Sequence, residues 1–215
     1  MDRYQESFNT WNKHASLYES KFMDLAIYNK TYDVFCYAFP QQHPSILELA
    51  CGPGNITRYL LSRRPDFNIT GVDIAPNMIE YAKTYNPTAK FLVMDFRQIH
   101  ELQTRFDGIV CGFGLPYLSE AEMKTFIADC SHLLKDDGIV YLSFMEGDQS
   151  KSGFVTVKND DRIYFYYHHA DDIIAALRNN NFVDPQRFDV NYDRGEGQME
   201  IHTIVIAGKK GRGGS

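Results

Sequence analysis

Residues 46–60 of the chain, ILELACGPGNITRYL, join an apolar run to a helical pattern through a short segment of small residues. The run at 46–49 is typical of a strand buried on both faces, and the apolar spacing over 55–62 predicts a helix. Ala50, Gly52 and Gly54 lie between them, where small side chains let the backbone approach a ligand. The stretch therefore predicts the first strand and helix of an open α/β sheet, with either a ligand site or a plain tight turn at the break.

Strand and helix patterns alternate beyond this stretch. Strands are predicted at 45–49, 68–73, 89–95, 106–113 and 138–144, and helices at 55–62, 75–85, 98–103 and 119–134. Ser119 followed by Glu122 predicts a capping box for the last of these helices. The alternation favours a parallel sheet with right-handed crossovers, which is a doubly wound α/β fold.

The last third of the chain predicts an antiparallel finish to the sheet. Two short strands around a polar turn are expected within 154–167, followed by a helix within 170–182. Two further strands are expected at 187–193 and 199–208, joined by residues 194–197. The glycine-rich, charged residues 209–215 predict a disordered tail.

The N-terminal segment is polar and aromatic. Residues that recur there at helical spacing are Phe8, Trp11, Ala15, Tyr18 and Phe22. A second helix is expected near 28–37, and Pro40 and Pro44 disfavour helix beyond it. We therefore expect an N-terminal helical lid or cap at 1–40 and a ligand-binding domain at 41–208.

Composition narrows the class of protein. The chain has 215 residues, 44% of them hydrophobic, and 22 basic against 28 acidic residues give a net charge of −6. This excess of acid disfavours a nucleic-acid partner, because the chain has no excess of cations to neutralise a phosphate backbone. No apolar run reaches the roughly 20 residues of a membrane span. Four scattered cysteines without a C-x-x-C pair favour a reducing, cytoplasmic location and no metal site.

Chemically useful residues follow three more predicted strands. Asp73 lies about 20 residues beyond the glycines, the separation at which a carboxylate reaches ribose hydroxyls in nucleotide-binding folds. Asp95, followed by Phe96, predicts an acceptor for a base's exocyclic amine beside an apolar wall; the alternative is a helix cap. After the fourth strand, CGFGLPYLS is a glycine-containing aromatic loop. Ligands of open α/β sheets lie at this edge, so a nucleotide-like ligand is expected.

Two nucleotide classes are disfavoured by the glycine pattern. A dinucleotide-binding G-x-G-x-x-G/A motif that starts at Gly52 would end at Thr57. A P-loop would need Gly-Lys-Ser/Thr, but Gly54 is followed by Asn55 and Ile56. Neither a dinucleotide nor a nucleoside triphosphate is therefore the expected ligand.

Five segments in the right order resemble the class I S-adenosylmethionine-dependent methyltransferases of the small-molecule, methyltransferase domain 25 type. They span residues 45–144 and read ILELACGPGNITRYL, GVDIAPNMIEYAK, VMDF, FDGIVCGFGLPYLS and LLKDDGIVYLSF. The resemblance implies S-adenosyl-L-methionine as cofactor, S-adenosyl-L-homocysteine as product, and in-line methyl transfer. It also implies a mostly parallel seven-stranded sheet whose last strand is antiparallel.

The resemblance also implies a set of cofactor-binding residues. They are Glu48, Ala50, Gly52 and Gly54 on the methionine side, Asp73 on the ribose, Ile74, Met78, Asp95 and Phe96 around the adenine, and Gly112 and Phe113 behind the sulfonium. Ala50 departs from the family pattern, which most often has glycine there.

Acceptor and catalytic residues are less constrained by pattern. Trp11 and Tyr18 are expected to contact the cofactor from the lid, and the alternative is that they face the core of a surface helix. Tyr117 and His168, with His169 beside it, are candidates for acceptor contact or general base, although a histidine here is often structural.

The kind of acceptor is predicted from one loop. GLPY resembles the [DN]-P-P-[YF] loop of amino-methylating nucleic-acid enzymes, but Gly114 replaces the amide or carboxylate. A small-molecule acceptor, and a monomer or homodimer, are therefore expected. A non-catalytic S-adenosylmethionine-binding protein and an NAD-binding oxidoreductase remain as alternative functions.

Overall fold

The structure, a computed structural model, describes residues 2–193, 195 and 199–211. The strands are β1 (Ser45–Leu49), β2 (Asn68–Asp73), β3 (Lys90–Val93), β4 (Phe106–Gly112), β5 (Leu134–Met145), β6 (Gly153–Lys158), β7 (Asp161–Phe165), β8 (Phe182–Asp193) and β9 (Met199–Lys209). The α-helices are α1 (Arg3–Lys13), α2 (Ala15–Phe22), α3 (Asn29–Tyr37), α4 (Asn55–Arg63), α5 (Pro76–Tyr85), α6 (Glu120–Leu133) and α7 (Ala170–Asn179). Short 3₁₀ segments are Phe96–Glu101, Leu115–Tyr117 and Gln149–Lys151.

Seven strands form one sheet in the order β3-β2-β1-β4-β5-β9-β8. Strands β1 to β5 pair in parallel, whereas β9 is antiparallel to both of its neighbours, β5 and β8. The predicted doubly wound, mostly parallel seven-stranded fold is confirmed. The chain order reverses between β1 and β4, and this switch point is where a cleft opens at the carboxyl edge of such sheets.

Two strands are longer than predicted, because a local irregularity breaks their apolar pattern. In β5, Leu134 pairs with Phe106 before the register shifts and the regular ladder begins at Ile139. In β8, the register shifts between Val183 and Gln186, next to Asp184, which has a left-handed φ of 49°. The predicted helix at 98–103 is instead the 3₁₀ segment at 96–101.

The capping box at the start of α6 is present as predicted. The Ser119 N–H donates to Glu122 Oε2 at 2.8 Å, and the Glu122 N–H donates to Ser119 Oγ at 3.4 Å. The box satisfies two N–H groups that a helix start leaves unpaired. It fixes where the Leu115–Tyr117 segment meets the helix.

The N-terminal region divides into two parts. Helix α3 packs into the sheet core, where Phe35 and Cys36 are fully buried beside Ile46 and Tyr141. Helices α1 and α2 instead lie over the carboxyl edge of the sheet. The predicted cap at 1–40 therefore contains one core helix, and only residues up to the end of α2 can act as a cover.

The four cysteines are free and buried. Burial raises the pKa of the Cys36 and Cys111 thiols to about 12, and the pKa values of Cys51 and Cys130 lie well above the ordinary range for the same reason. These side chains act as small hydrophobes in the core.

The predicted tail begins one residue too early. Lys209 is the last residue of β9, and its ammonium donates to the Ser131 and Leu134 carbonyls at 2.6 and 2.8 Å. Residues 212–215 of the predicted tail, residues 194, 196 and 197 of the predicted connection, and residue 198 lie outside the described residues. Within the described part of the chain, no helix is both long and apolar enough to cross a membrane.

Candidate active site

A cavity of about 490 Å³ lies at the carboxyl edge of the sheet, beneath α1, α2 and the β6–β7 hairpin. The sequence-predicted residues that line it are Trp11, Tyr18, Ala50, Gly52, Asp73, Ile74, Met78, Asp95, Phe96, Gly112, Phe113 and Tyr117. Four predicted residues, Glu48, Gly54, His168 and His169, do not line it. The volume falls in the range of about 300–1,000 Å³ that is typical of small-molecule sites.

The loop between β1 and α4 has left-handed backbone at three alternate positions. The φ angles are 52° at Ala50, 53° at Gly52 and 81° at Gly54. Glycine adopts this region freely, whereas alanine is strained there by about 1–2 kcal/mol. The left-handed turn at Ala50 belongs to a loop shape in which Gly52 lines the cavity.

Asp73 ties this loop to the next one. Its Oδ2 accepts from the Gly52 N–H at 2.9 Å, and its Oδ1 accepts from the Ala75 N–H at 2.9 Å. Burial raises the pKa of Asp73 to about 6, although both backbone donors act in the opposite direction. The carboxylate is therefore ionised at neutral pH and oriented from two sides.

Asp95 lines the cavity and is also a helix cap. Its Oδ1 accepts from the Arg97 N–H at 2.9 Å, and its Oδ2 accepts from the Arg97 guanidinium at 2.5 Å. The helix-cap interpretation of Asp95 is therefore confirmed, and the residue also lines the cavity. The pairing reduces the acceptor capacity that remains for a base's amine, and the adenine contact stays a prediction.

Glu48 and Gly54 lie behind the loop. Glu48 is fully buried, its Oε2 accepts from the Thr57 hydroxyl, and its Oε1 has no hydrogen-bond partner. Burial raises the pKa of Glu48 to about 8. Gly54 is the N-cap of α4, and its carbonyl accepts from Asn86 Nδ2 at 3.0 Å. These residues support the loop and are not exposed to the cavity.

Phe113 follows β4 with a left-handed φ of 57°. Its N–H donates to the carbonyl of Ser143 on β5 at 3.1 Å. A Cβ built at Gly112 would overlap Ile56 Cδ1, so a larger residue there would require the end of the Ile56 side chain to move. The turn directs the Phe113 ring into the cavity.

Aromatic side chains from the cover and from the loop after β4 meet over the cavity. Trp11 Nε1 donates to the Tyr117 hydroxyl at 2.7 Å, and the Trp11 and Tyr18 rings lie edge to face at 5.2 Å. Burial raises the pKa of Tyr117 and of Tyr18 far above the ordinary value, so both keep their protons. Tyr117 is therefore placed as a contact residue and hydrogen-bond donor, and not as a base.

His168 is not placed to act as a general base. It is 1% exposed, and its Nε2 hydrogen-bonds the Leu115 carbonyl at 3.1 Å. Burial lowers its pKa, which keeps it neutral. It supports the Leu115–Tyr117 segment from behind, which is the structural role that the sequence left open. His169 is exposed at the start of α7 and does not line the cavity.

The cover is fastened to a hairpin that was not predicted to belong to the site. On α1, Thr10 Oγ1 donates to the Arg162 carbonyl and Ser7 Oγ accepts from the Tyr164 N–H, both at 2.8 Å. Asp161, at the start of β7, pairs with Lys13 at 2.7 Å. The cover is thus α1 and α2 together with β6 and β7.

Sequence reasoning missed a second group of lining residues. They are Tyr28, Met145, Tyr192, Glu200 and His202, which come from the segment before α3 and from the ends of β5, β8 and β9. The antiparallel direction of β9 brings the beginning of that strand to the carboxyl edge of β5. No local motif marks such residues, because their proximity depends on the pairing of distant strands.

A family model for a methyltransferase domain matches residues 46–138. The matched segment contains the loop after β1, Asp73, Asp95 and the whole of β4. This match covers less than half of the chain, and over it the sequence is similar to the methyltransferase domain family.

Curated relatives align with this chain over short regions. Malonyl-(acyl-carrier protein) O-methyltransferase of Acetivibrio thermocellus is 33% identical over 100 residues, which are 46% of this chain and 34% of that protein. Trans-aconitate 2-methyltransferase of Enterobacter sp. strain 638 is 49% identical over 53 residues, or 25% and 21%. The chain thus matches only about a third or less of the length of these relatives.

A solved methyltransferase has the same fold over nearly its whole length. Magnesium protoporphyrin IX methyltransferase from Synechocystis PCC 6803, crystallised with bound S-adenosylmethionine, superimposes with a TM-score of 0.73 at 14% identity. The match covers 98% of each chain. It includes the N-terminal region that the family model leaves out.

The cavity fits the cofactor that this family uses. The loop backbone at Gly52 is open, since a Cβ built there would lie 3.6 Å from Tyr18 Cε1 and meet nothing closer. Asp73 is ionised and oriented, and Trp11, Tyr18 and Phe113 present aromatic faces that suit a sulfonium. The donor set therefore matches a positively charged adenosyl ligand.

Proposed function

We propose that this methyltransferase domain transfers a methyl group from S-adenosylmethionine to a small-molecule acceptor by in-line displacement. The observation that carries the proposal is the convergence of Gly52, Asp73 and Phe113 on one cavity. When bound, S-adenosylmethionine supplies an electrophilic methyl carbon on a sulfonium.

The residues of this chain have three roles in the proposal. The backbone of the Ala50–Gly54 loop and the Asp73 carboxylate hold the polar ends of the cofactor. The rings of Trp11, Tyr18 and Phe113 exclude water and stabilise positive charge. The cover of α1, α2, β6 and β7 keeps the acceptor about 3–3.5 Å from the methyl carbon along the displacement axis.

Several observations support a small acceptor. The cavity is roofed by the cover, and the chain has a net charge of −6. Two relatives are named for malonyl and trans-aconitate acceptors. Four unpaired buried cysteines favour a reducing, cytoplasmic location. We expect a monomer or homodimer.

Replacing Asp73 with alanine is expected to weaken S-adenosylmethionine binding by about 10- to 100-fold, or roughly 1.5–3 kcal/mol for one charge-assisted hydrogen bond. Isothermal titration calorimetry at pH 7.5 measures the affinity. Asp73→Asn keeps the shape of the side chain, so its affinity for S-adenosylmethionine should lie between those of the wild type and Asp73→Ala. Glu80→Gln, an exposed change on α5, should bind as the wild type does. Unchanged affinity in Asp73→Ala would reject the role of this carboxylate.

The alternative functions are separated by two measurements. Calorimetry with S-adenosylmethionine and with NADH tests the cofactor, and binding of NADH alone would favour an oxidoreductase. An assay for S-adenosylhomocysteine over a panel of metabolites then tests transfer. Tight cofactor binding without product across the panel would favour the non-catalytic binding protein.

A further inference from the structure

One end of the cavity combines an apolar lining with one charged pair. Because β2 and β3 pair in parallel, the residues that follow them lie side by side at the carboxyl edge of the sheet. Ile74, Met78 and Phe96 line this end, and their side chains suit the faces of a flat base. Asp95 and Arg97 line it as well and form an ion pair. The family resemblance places the adenine of the cofactor at this end.

Arg97 occupies the acceptor positions of the Asp95 carboxylate. The Arg97 backbone N–H donates to Asp95 Oδ1 at 2.9 Å, and Arg97 Nε donates to both oxygens, at 3.0 and 2.9 Å. Arg97 Nη2 donates to Asp95 Oδ2 at 2.5 Å. Each carboxylate oxygen has two lone-pair directions, so two contacts to each oxygen use all of them. A further donor reaches this carboxylate only by displacing Arg97.

Two other contacts hold the Arg97 guanidinium in place. Its Cζ lies over the Tyr4 ring, 4.0 Å from the ring centroid. Arg97 Nη1 lies 3.8 Å from Glu122 Oε1, and the Tyr4 hydroxyl donates to the other oxygen of Glu122. Arg97 is thus enclosed by α1, by α6 and by the segment that follows β3. The side chains of Asp95 and Arg97 are 17% and 31% exposed, which limits competition from water for their hydrogen bonds.

We propose that Arg97 makes the cofactor site insensitive to the exocyclic amine of the base. With Arg97 in place, the Asp95 carboxylate has no free position for that amine, so a base with the amine and a base without it bind about equally well. The contact between Asp95 and the amine that the sequence predicts would then be absent. Arg97 acts on the base through Asp95, which makes it a specificity-determining residue and not a catalytic one. The proposal rests on the proposed function, because it takes the cavity to hold an adenosyl cofactor.

The competing arrangement is one in which the amine displaces Arg97 and donates to Asp95 itself. A hydrogen bond to a charged carboxylate would then favour the base that carries the amine by about tenfold or more. The two arrangements therefore differ in the ratio of affinities for two ligands that differ only in this amine. S-adenosylhomocysteine and the same molecule with purine in place of adenine form such a pair, because both keep the ring nitrogens, the ribose and the homocysteine.

Calorimetry with these two ligands on the full chain measures the ratio. The wild type is expected to bind them within about threefold of each other, since no hydrogen bond to Asp95 is at stake. Arg97→Met keeps the length of the side chain but removes its donors, so the amine gains access to Asp95. This variant should bind the adenosyl ligand about tenfold or more tightly than the purine analogue.

Two further variants control for indirect effects of the substitution. Adding Asp95→Asn to Arg97→Met should return the ratio to nearly the wild-type value. The asparagine oxygen keeps the helix cap, and its NH₂ group cannot accept a hydrogen bond from the amine. Arg178→Met, an exposed change on α7 outside the cavity lining, is the matched control and should show the wild-type ratio.

The outcomes separate this proposal from the one on which it rests. No binding of S-adenosylhomocysteine to the wild type would overturn the proposed function. Binding with a preference of about tenfold or more over the purine analogue in the wild type would overturn the role of Arg97, and this measurement requires no variant. An Arg97→Met ratio equal to that of the wild type would overturn it as well. A general weakening of the site lowers both affinities and leaves their ratio unchanged, so a merely structural role for Arg97 does not reproduce the expected result.

Discussion

Glu48→Gln is expected to remove much of the pH dependence of stability between about pH 6.5 and 8. In the folded chain, burial raises the pKa of Glu48 to about 8, against 4.5 for an ordinary glutamate. Between these values the folded state holds a proton that the unfolded state has lost. The stabilisation is complete below pH 4.5 and is lost as the pH rises through 8. The free energy of unfolding should fall by about 1.4 kcal/mol per pH unit across this window.

Urea unfolding at half-unit pH steps measures this slope. The glutamine side chain cannot ionise. The free energy of unfolding of Glu48→Gln should therefore fall less steeply with pH than that of the wild type, and the difference in slope should be about that of one bound proton. Asp73, whose pKa burial raises to about 6, contributes below the chosen window and is shared by both proteins. Histidine titration is also common to both and cancels in the difference. Parallel curves for wild type and Glu48→Gln would show that Glu48 is ionised in the folded state.

Gly54→Ala is expected to lower the free energy of unfolding by about 3 kcal/mol, from left-handed strain and from overpacking. The φ at Gly54 is 81°, and a Cβ there would lie 2.5 Å from Asn86 Nδ2 and 3.1 Å from Ala82 Cα. Helix α4 would have to move away from α5, and Asn86 would lose its bond to the Gly54 carbonyl. Cofactor affinity should fall together with stability in Gly54→Ala, because the movement of α4 distorts the loop between β1 and α4.

Gly208→Ala is the matched control for this substitution. Gly208 lies in β9 with nothing within 4 Å of a built Cβ, so alanine should change stability by less than about 0.5 kcal/mol. Both variants are compared with wild type by urea unfolding followed by circular dichroism. Equal stability of the two variants would contradict the packing between Gly54 and α5.

Local sequence predicted well which residues after β1, β2 and β4 line the cavity, because strand, loop and helix there follow one another directly. The end of each parallel strand falls at one edge of the sheet, so Gly52, Asp73 and Phe113 could be brought together without knowledge of packing. Glu48 was misplaced, because every residue of a doubly buried strand has the same apolar setting. The apolar pattern of β1 does not show which of its side chains lies behind the loop between β1 and α4.

The acceptor side depended on contacts between distant segments. His168 is 53 residues from the Leu115 carbonyl that it bonds, and Tyr28 is 174 residues from His202. No periodicity or motif connects such pairs. The pairing of Asp95 with Arg97, only two residues away, was visible in the sequence and favours the cap that was kept as the alternative.

The four buried cysteines lie in different regions of the fold, so their reactivity can report local opening of each region. Cys36, Cys51, Cys111 and Cys130 lie in a core helix, in the loop after β1, in a central strand and in the opposite helical layer, and all are at most 2% exposed. An alkylating reagent can reach each thiol only when its surroundings open, so rates of modification report those openings one region at a time. Among the four, the thiol of Cys51 lies in the loop beside the cavity and would be the one most directly protected by a bound adenosyl ligand.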